Sequence, residues 1–461
     1  MADLKQLAVE LVQRAMERRA AAADCLIVEG DDFSVTLRRQ EIETLKESGS
    51  KGLGLRVFFR SGDGTRLQTA TSHTSDLSET SLARLLEDTL ALARITSPDE
   101  CAGLPEKEWI HPLGGELGIY SDSIALLDTD QKIRLAKDSE KYALDYDPRI
   151  INSDGSSFSS SLQRVILANS NGFAGEYRSS GCSLTTVSIA AEKGPDDGGE
   201  GSMQRDGWYS NAVDFARLES PEVVGTNAAK RTLRRLGARK VSTGEVPVVF
   251  DPLTARTLLE NLVDAVSGSS IYRHASFLVG KLGNKVASEC VSVIDDGLMP
   301  AGLGTSPFDG EGVPSQITPI IEHGILKNYL LNCYAARKLG LRTTANAVRD
   351  VAGSPRVGPT NFYLKAGTLS PADLIQSVER GVYVTDLIGF GVNVVTGDYS
   401  RGASGLWIEK GKLTFPFEEV TIAGNLAEML LSIEAVANDE DFRDAVAAPT
   451  IKISKMMVSG S

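Results

Sequence analysis

The chain has little with which to hold a metal ion. Its four histidines, His73, His111, His274 and His323, are scattered so that no two lie within a helical turn or two of each other. A zinc site on one helix needs paired ligands, as in H-E-x-x-H, and no such pair occurs. The five cysteines, Cys25, Cys101, Cys182, Cys290 and Cys333, are odd in number and form no C-x-x-C. That spacing offers neither a zinc ribbon nor a disulfide framework. Positive charge is also short: 48 Lys and Arg against 61 Asp and Glu leave a formal net charge of -13. Non-specific nucleic-acid binding rests on clustered cations and is disfavoured here. The one basic run, "KRTLRRLGARK" (230–240), reads as the exposed face of a helix end, where cations suit the dipole. No apolar run approaches membrane-spanning length. The opening "MADLKQLAVELVQRAMERRAAAAD" reads as an amphipathic helix rather than a signal peptide. The expectation is a cytoplasmic protein with no metal or cofactor of its own.

What is present is an ordinary globular composition, with 42% hydrophobic and 24% charged residues and 44 glycines. A chain of 461 residues exceeds one simple core and predicts two or three domains. After the first helix, "CLIVEG", "FSVTLRR", "IETLKES" and "GLGLRVFFR" predict short strands. "TSDLSETSLARLLEDTLALARI" predicts a helix with Ser75 or Asp76 as N-cap, and "DTDQKIRLAKDSEKYALDY" another, ended by Asp147-Pro148. Strands return between about 149 and 193, with Asn171-Gly172 as a hairpin turn. The acidic, glycine-rich stretch 194–207 predicts a loop. A helix at about 220–236 leads to "STGEVPVVFDP", the expected boundary. The expected division is an N-terminal α+β domain, 1–240 (sub-parts 1–108 and 109–240), and a β-rich domain, 241–461. The fold class is α+β. "IEHGILKNYLL" and "IEKGKLTFPFE" each predict a tight hairpin with Gly at positive φ, and His323 falls in the first of these turns.

Three stretches could carry chemistry. "TARTLLENLVDAVSGSS", from Thr254, reads as an apolar helix with Glu260 and Asp264 one turn apart. A lone carboxylate pair binds Zn²⁺ poorly, so a polar helix stripe or a contact to a partner subunit is the favoured reading. "TGDYSRGASG" (396–405) packs polar side chains between glycines. Ser400 lacks a G-x-S-x-G elbow, because Tyr399 and Arg401 flank it. This loop, Thr396, Gly397, Asp398, Tyr399, Ser400, Arg401 and Gly402, is the candidate peptide- or partner-binding site, since Arg and glycine amides suit carboxylates and carbonyls. "GLGLRVF" and "GFGVNVVTG" lack the third glycine of a dinucleotide fingerprint.

Beyond composition and spacing, "VSGSSIYRHASFLVGKLGNKV", "VIDDGLMPAGLGTSPFDGEGVPSQITPIIEHGILKNYLLNCYAARKLG" and "VTGDYSRGASGLWIEKGKLTFPFEEVTIAGNL" resemble the TldD/PmbA family. "DECAGLP" (99–105) extends the similarity, and "GDYSRGASG" is closer to the PmbA (TldE) type. The family is known as modulators of DNA gyrase and as metallopeptidases. TldD-type members carry H-E-x-x-x-H on the first helix of the C-terminal domain and a later cysteine ligand. Here the resemblance puts the histidine positions on Leu259 and Asp264 and the glutamate general base on Glu260, and no cysteine follows Cys333. It therefore implies a subunit that binds no metal, joined to a TldD-like partner that supplies zinc, in a complex that degrades unfolded peptides. An autonomous hydrolase using the 396–405 loop or an unrecognised metal, and a non-catalytic peptide-binding homodimer, are the alternatives.

Overall fold

The computed structural model describes residues 3–62, 64–110, 114–192 and 203–460. Helix α1 (Leu4–Glu17) starts at Asp3, whose carboxylate accepts from the amides of Lys5 and Gln6. It is followed by β1 (Ala22–Arg38), β2 (Glu41–Arg60) and β3 (Leu67–Thr74), and by α2 (Glu79–Ala93). The four short strands expected here are two long ones. β1 and β2 run straight through Gly30-Asp31 and Gly49-Ser50, pairs that read as turns in sequence, and turn at Arg39 and Gln40, both at positive φ. Neither is glycine, and backbone strain of this kind persists only when the surroundings enforce it. The enforcing group is Glu140, fully buried, whose carboxylate accepts from the amides of Arg39 (2.8 Å) and Gln40 (2.6 Å). The cap of α2 is Ser78 rather than Ser75 or Asp76. Asp76 instead accepts from Ser78, fixing the cap one step later.

β4 (Ile150–Asn169) and β5 (Ala174–Ala191) form the hairpin around Asn171-Gly172, and β6 (Met203–Ala212) completes an antiparallel sheet in the order β3-β2-β1-β4-β5-β6. Residues 203–207, expected in a loop, are therefore strand; the first part of that stretch lies outside the described residues. One face of the sheet is covered along its length by helices. α1 and α2 pack on Cys25 and Ile27, and helices Thr129–Leu144 and Pro221–Leu233 pack around Phe33, Val35 and Leu37. These β1 positions are all odd-numbered, as a period of two requires. The even positions face the other way, where Leu26 and Val28 meet Phe308 and Val351 of the C-terminal half.

That half begins with β7 (Gly244–Phe250) and the helix Pro252–Val266, capped by Asp251. β7 lies between the strands Arg380–Ile388 and Ile451–Ser459 in a six-stranded sheet. A further pairing of Lys412–Asn425 with Ile451–Ser459 curls five of its strands into a ring. The helix packs Leu258, Leu259, Leu262 and Val266 into the core of this ring. Both predicted hairpins form, with His323-Gly324 and Lys410-Gly411 at positive φ. Two expectations need correction. Residues 398–405 are not a loop but part of the strand Asp398–Glu409. The basic run is not an exposed face: Arg231 bonds Asp206 (3.3 Å), Asp251 (3.4 Å) and the Thr385 carbonyl (3.0 Å), and Arg235 pairs with Asp386 at 2.9 Å. The helix end is packed between the two sheets: Asp206 belongs to β6, and Thr385 and Asp386 to the C-terminal strand Arg380–Ile388.

The two halves meet at buried charges. Arg56 on β2 bonds Asp24 on β1, Asp24 accepts from Arg349 Nη1 at 2.7 Å, and Arg56 lies 3.8 Å from Glu311. All four side chains are 7% exposed or less. Removing one partner of such a cluster strands the others in a low-dielectric site, so Asp24→Asn should cost about 3–5 kcal/mol in denaturant unfolding. Beside it, Asp309 accepts from the amides of Glu311, Val313 and Ala347, yet burial and the Glu311 charge push its carboxyl up to about 7. Its folded value lies above the ordinary unfolded value of about 4. Folding thus takes up a proton between those limits, and the Asp309 contribution to stability falls as pH rises from about 4 to about 7. Urea midpoints measured across this window should show that fall, with Asp309→Asn flattening it.

Candidate functional site

The face of the N-terminal sheet opposite its helices carries a polar groove. The strand registers pair Lys46 with Ser34, Ser34 with Ser159, Ser159 with Ser183, and Ser183 with Asn211. The next row on the same face is Ser48, Asp32, Ser161 and Gly181. Together they floor an open groove of about 600 Å³, walled on the C-terminal side by Leu303, Asp444 and Ala445. A second hollow of about 400 Å³ continues it past Asn211 and Asp444 toward Met299–Leu303. Small hydroxyl side chains leave the floor shallow and supply both donors and acceptors. A peptide laid over it can exchange hydrogen bonds without deep side-chain pockets.

Side-chain contacts at Asp444 tie the groove wall to the 252–266 helix. Asn211 donates to Asp444 (3.2 Å) and to the Arg443 carbonyl (2.9 Å). Asp444 pairs with Arg256 and accepts from the Tyr209 hydroxyl, and Arg256 donates to that hydroxyl at 2.6 Å. Glu260, one turn on, is half exposed and pairs with Arg256 at 3.3 Å. Asp264 lies on the solvent side of the helix, where desolvation by the surrounding protein still pushes its carboxyl up. Leu259 points inward and is 5% exposed among core aliphatics. The helix therefore carries an arginine paired with the groove-wall residue Asp444, and not a ligand set.

Residues 396–402 are not brought to one point. Gly397 turns the backbone at φ +84, with the Thr396 hydroxyl donating to Asp398 at 2.6 Å. Thereafter the strand alternates. Asp398 and Ser400 are exposed on one face, while Tyr399 is 1% exposed on the other. Arg401, on the buried side, donates weakly to the Leu387 carbonyl at 3.4 Å, and Gly402 is half-buried. Ser400 is hydrogen-bonded to neither a histidine nor a carboxylate through its side chain among the described residues, so the geometry that would activate it is missing. Beside this strand, Ile388, Phe390 and Val395 project into solvent, 63%, 102% and 52% exposed. Sequence reasoning missed these apolar residues, the serine rows and the Arg256 cluster. The serine alternation in "SSFSSSL" was the available signal.

Three family models match in succession: the PmbA/TldA metallopeptidase domain 1 at residues 23–93, the central domain at 122–236 and the C-terminal domain at 243–460. The metalloprotease PmbA homolog of Haemophilus influenzae is 37% identical over 98% of this chain and 95% of its own length. The metalloprotease PmbA of Escherichia coli O157:H7 is 34% identical, covering 99% and 97%. The chain belongs to the PmbA/TldD family. A metalloprotease TldD homolog of Haemophilus influenzae is more distant, 30% identical over 73% of this PmbA/TldD-family sequence and 73% of its own. Among solved structures, a putative modulator of DNA gyrase from Bacteroides thetaiotaomicron superposes with a TM-score of 0.89 at 28% identity, covering 100% of both proteins. TldE from Thermococcus kodakarensis gives 0.86 at 21% identity, covering 98% and 99%, and shares the fold.

The family description implies a metal, and the residues present do not fit one. Leu259 is sealed in the core, Glu260 is neutralised by Arg256, and no three His, Cys, Asp or Glu side chains converge among the described residues. Among the described residues no helix is long and apolar enough to cross a membrane. The cluster makes a testable distinction. Arg256→Ala leaves Asp444 without its cation and should cost about 1–3 kcal/mol. Glu260→Gln loses one exposed pair and should cost no more than about 0.5 kcal/mol. Thermal unfolding of the two variants checks the order.

Proposed function

We propose that this protein is the non-metal subunit of a two-chain cytoplasmic peptidase, in which a TldD-like partner supplies zinc and the general base. The observation that carries this reading is the serine-floored groove whose wall residue Asp444 is paired with Arg256, on a helix that offers no metal ligand set. An unfolded peptide lying in the groove would be held by hydrogen bonds to its backbone, which explains a weak demand on sequence. The names TldD and TldE among the relatives support two subunit types within one family.

The exposed residues Ile388, Phe390 and Val395, with Thr396, Asp398 and Ser400 at their edge and the buried Gly397 turning the backbone between them, form the partner-facing surface in this reading. Exposed aromatic and aliphatic side chains grouped in this way mark an interaction site. Tyr399 lies beneath this surface, and Arg401 and Gly402 support it from the strand. In the groove, a bulky residue at Ser183 would block a peptide without touching the core.

Three outcomes are expected in a cleavage assay with an unstructured fluorogenic peptide. The protein alone is inactive, and adding a TldD-like partner gives chelator-sensitive turnover. In the assembled pair, Ser183→Trp lowers turnover at least about tenfold, with assembly intact by size-exclusion chromatography, while Glu260→Gln leaves it unchanged. Phe390→Asp abolishes assembly without lowering the melting temperature of the isolated protein. Chelator-sensitive turnover by the protein alone would overturn the proposal in favour of an autonomous peptidase. A stable homodimer lost with Phe390→Asp, and no gain from any TldD-like partner, would favour the peptide-binding homodimer.

A further inference from the structure

The basic run at 230–240 contains a charge that the fold does not use. Arg231 and Arg235 are paired, but Arg234 is not: its Nε and Nη2 are buried with no hydrogen-bond partner among the described residues. Burial and the neighbouring Arg231 lower the Arg234 pKa from its ordinary value, the direction in which an uncompensated cation moves. A buried, unsatisfied guanidinium costs stability, and proteins retain such groups where a ligand supplies the missing acceptor.

Arg234 lies in the wall of an open cleft of about 330 Å³ between the 221–233 helix and the C-terminal sheet. Asn227, Lys230 and Arg234 contribute one helical face, and Trp208, Tyr383 and Asp251 line the remainder. Lys230 makes no ion pair among the described residues and reaches only the Tyr146 ring, 6.0 Å away. Burial drives the Tyr383 phenol upward, so at neutral pH it remains a hydroxyl donor. The opposing carboxylates are engaged: Asp251 by Arg231 and by Thr254, and Asp441 by Arg443 at 2.6 Å. The cleft thus holds two cations without ion-pair partners among the described residues, beside carboxylates already paired, on a protein whose net charge is -13.

We infer that this cleft is a carboxylate-binding site, with Arg234 and Lys230 pairing the anion and Asn227 and Tyr383 donating to it. The fixed negative charge of Asp251 in the wall favours a monoanion over a phosphate dianion. The free carboxyl end of a peptide, an acidic side chain and a small organic acid share this chemistry. The site is separate from the serine-floored groove and does not depend on the peptidase reading.

The test is isothermal titration of the full-length protein with three probes: trialanine as the free acid, trialanine amide and inorganic phosphate. An N-acetylated Ala-Glu-Ala amide, whose only carboxylate is in its side chain, separates the sources. The free acid should bind at least about tenfold more tightly than the amide, and phosphate more weakly than the acid. Binding of the side-chain probe equal to that of the free acid would assign any carboxylate, and weaker binding would assign a peptide terminus. Arg234→Gln should remove binding while leaving the melting temperature equal or higher, because it deletes an unpaired buried charge. Should that variant fail to fold, Lys230→Gln, at an exposed position, should weaken binding at least about threefold. Equal binding of acid and amide, a preference for phosphate, no binding by any probe, or full binding by the variants would each overturn the inference.

Discussion

The docking of the two halves of the molecule depends on Asp24. Its carboxylate receives Arg56 from the neighbouring strand and Arg349 from the C-terminal half, and Arg56 also faces Glu311. Desolvating four charges is expensive, and a well-packed apolar contact of the same volume would serve stability as well or better. What the ions add is register. Leucine side chains on Leu26 and Leu167 accept many neighbours, whereas a guanidinium pinned to one carboxylate oxygen accepts one arrangement. The backbone confirms how closely the halves are set: a Cβ on Gly54 would lie 2.0 Å from the Val351 carbonyl oxygen. The groove between them has its width fixed by this contact, since its floor belongs to the N-terminal sheet and its wall to residues 303 and 444–445.

From that constraint the chemistry of the 252–266 helix follows. The inward face of this helix is aliphatic, and Arg256 pairs with the groove-wall residue Asp444. Its ties to Asp444 and Tyr209 join the helix to the end of the polar floor. An arginine in this place serves as a wall and a hydrogen-bond donor, and its charge would oppose a nearby divalent cation. The helix thus offers, among the described residues, paired polar side chains and no group of metal ligands.

Much of the fold was legible in local patterns. The helices at 129–144, 221–233 and 252–266 carry their caps Asp128, Ser220 and Asp251 in sequence, and the hairpins at 171–172, 323–324 and 410–411 carry their glycines. What failed was punctuation without local cause. Gly30 and Gly49 look like breaks but sit in continuous strands, and the true turn at Arg39-Gln40 has no glycine because a distant carboxylate, Glu140, holds it. The glycines of "GLGL" were set aside as a fingerprint, and their role is close approach of Val351, by its side chain at Gly52 and its backbone at Gly54, which no local pattern reveals. Gly391 in "GFGV" is alike, with a Cβ there falling 2.0 Å from the Ser400 carbonyl oxygen.

The candidate site shows the same limit more sharply. Reading 396–402 as one surface treated neighbours in sequence as neighbours in space, and a strand's period of two separates them: Ser400 faces water and Tyr399 the core. The serine rows are the converse, residues far apart in sequence that register places side by side. Half of that register was within reach. Counting outward equally from Asn171 opposes Ser159 to Ser183, and both strands repeat hydroxyls at alternate positions. The other half was not, because pairing Ser34 with Ser159 joins strands more than a hundred residues apart. A functional surface assembled across strands is therefore encoded by alternation plus long-range pairing, and only the alternation is written locally.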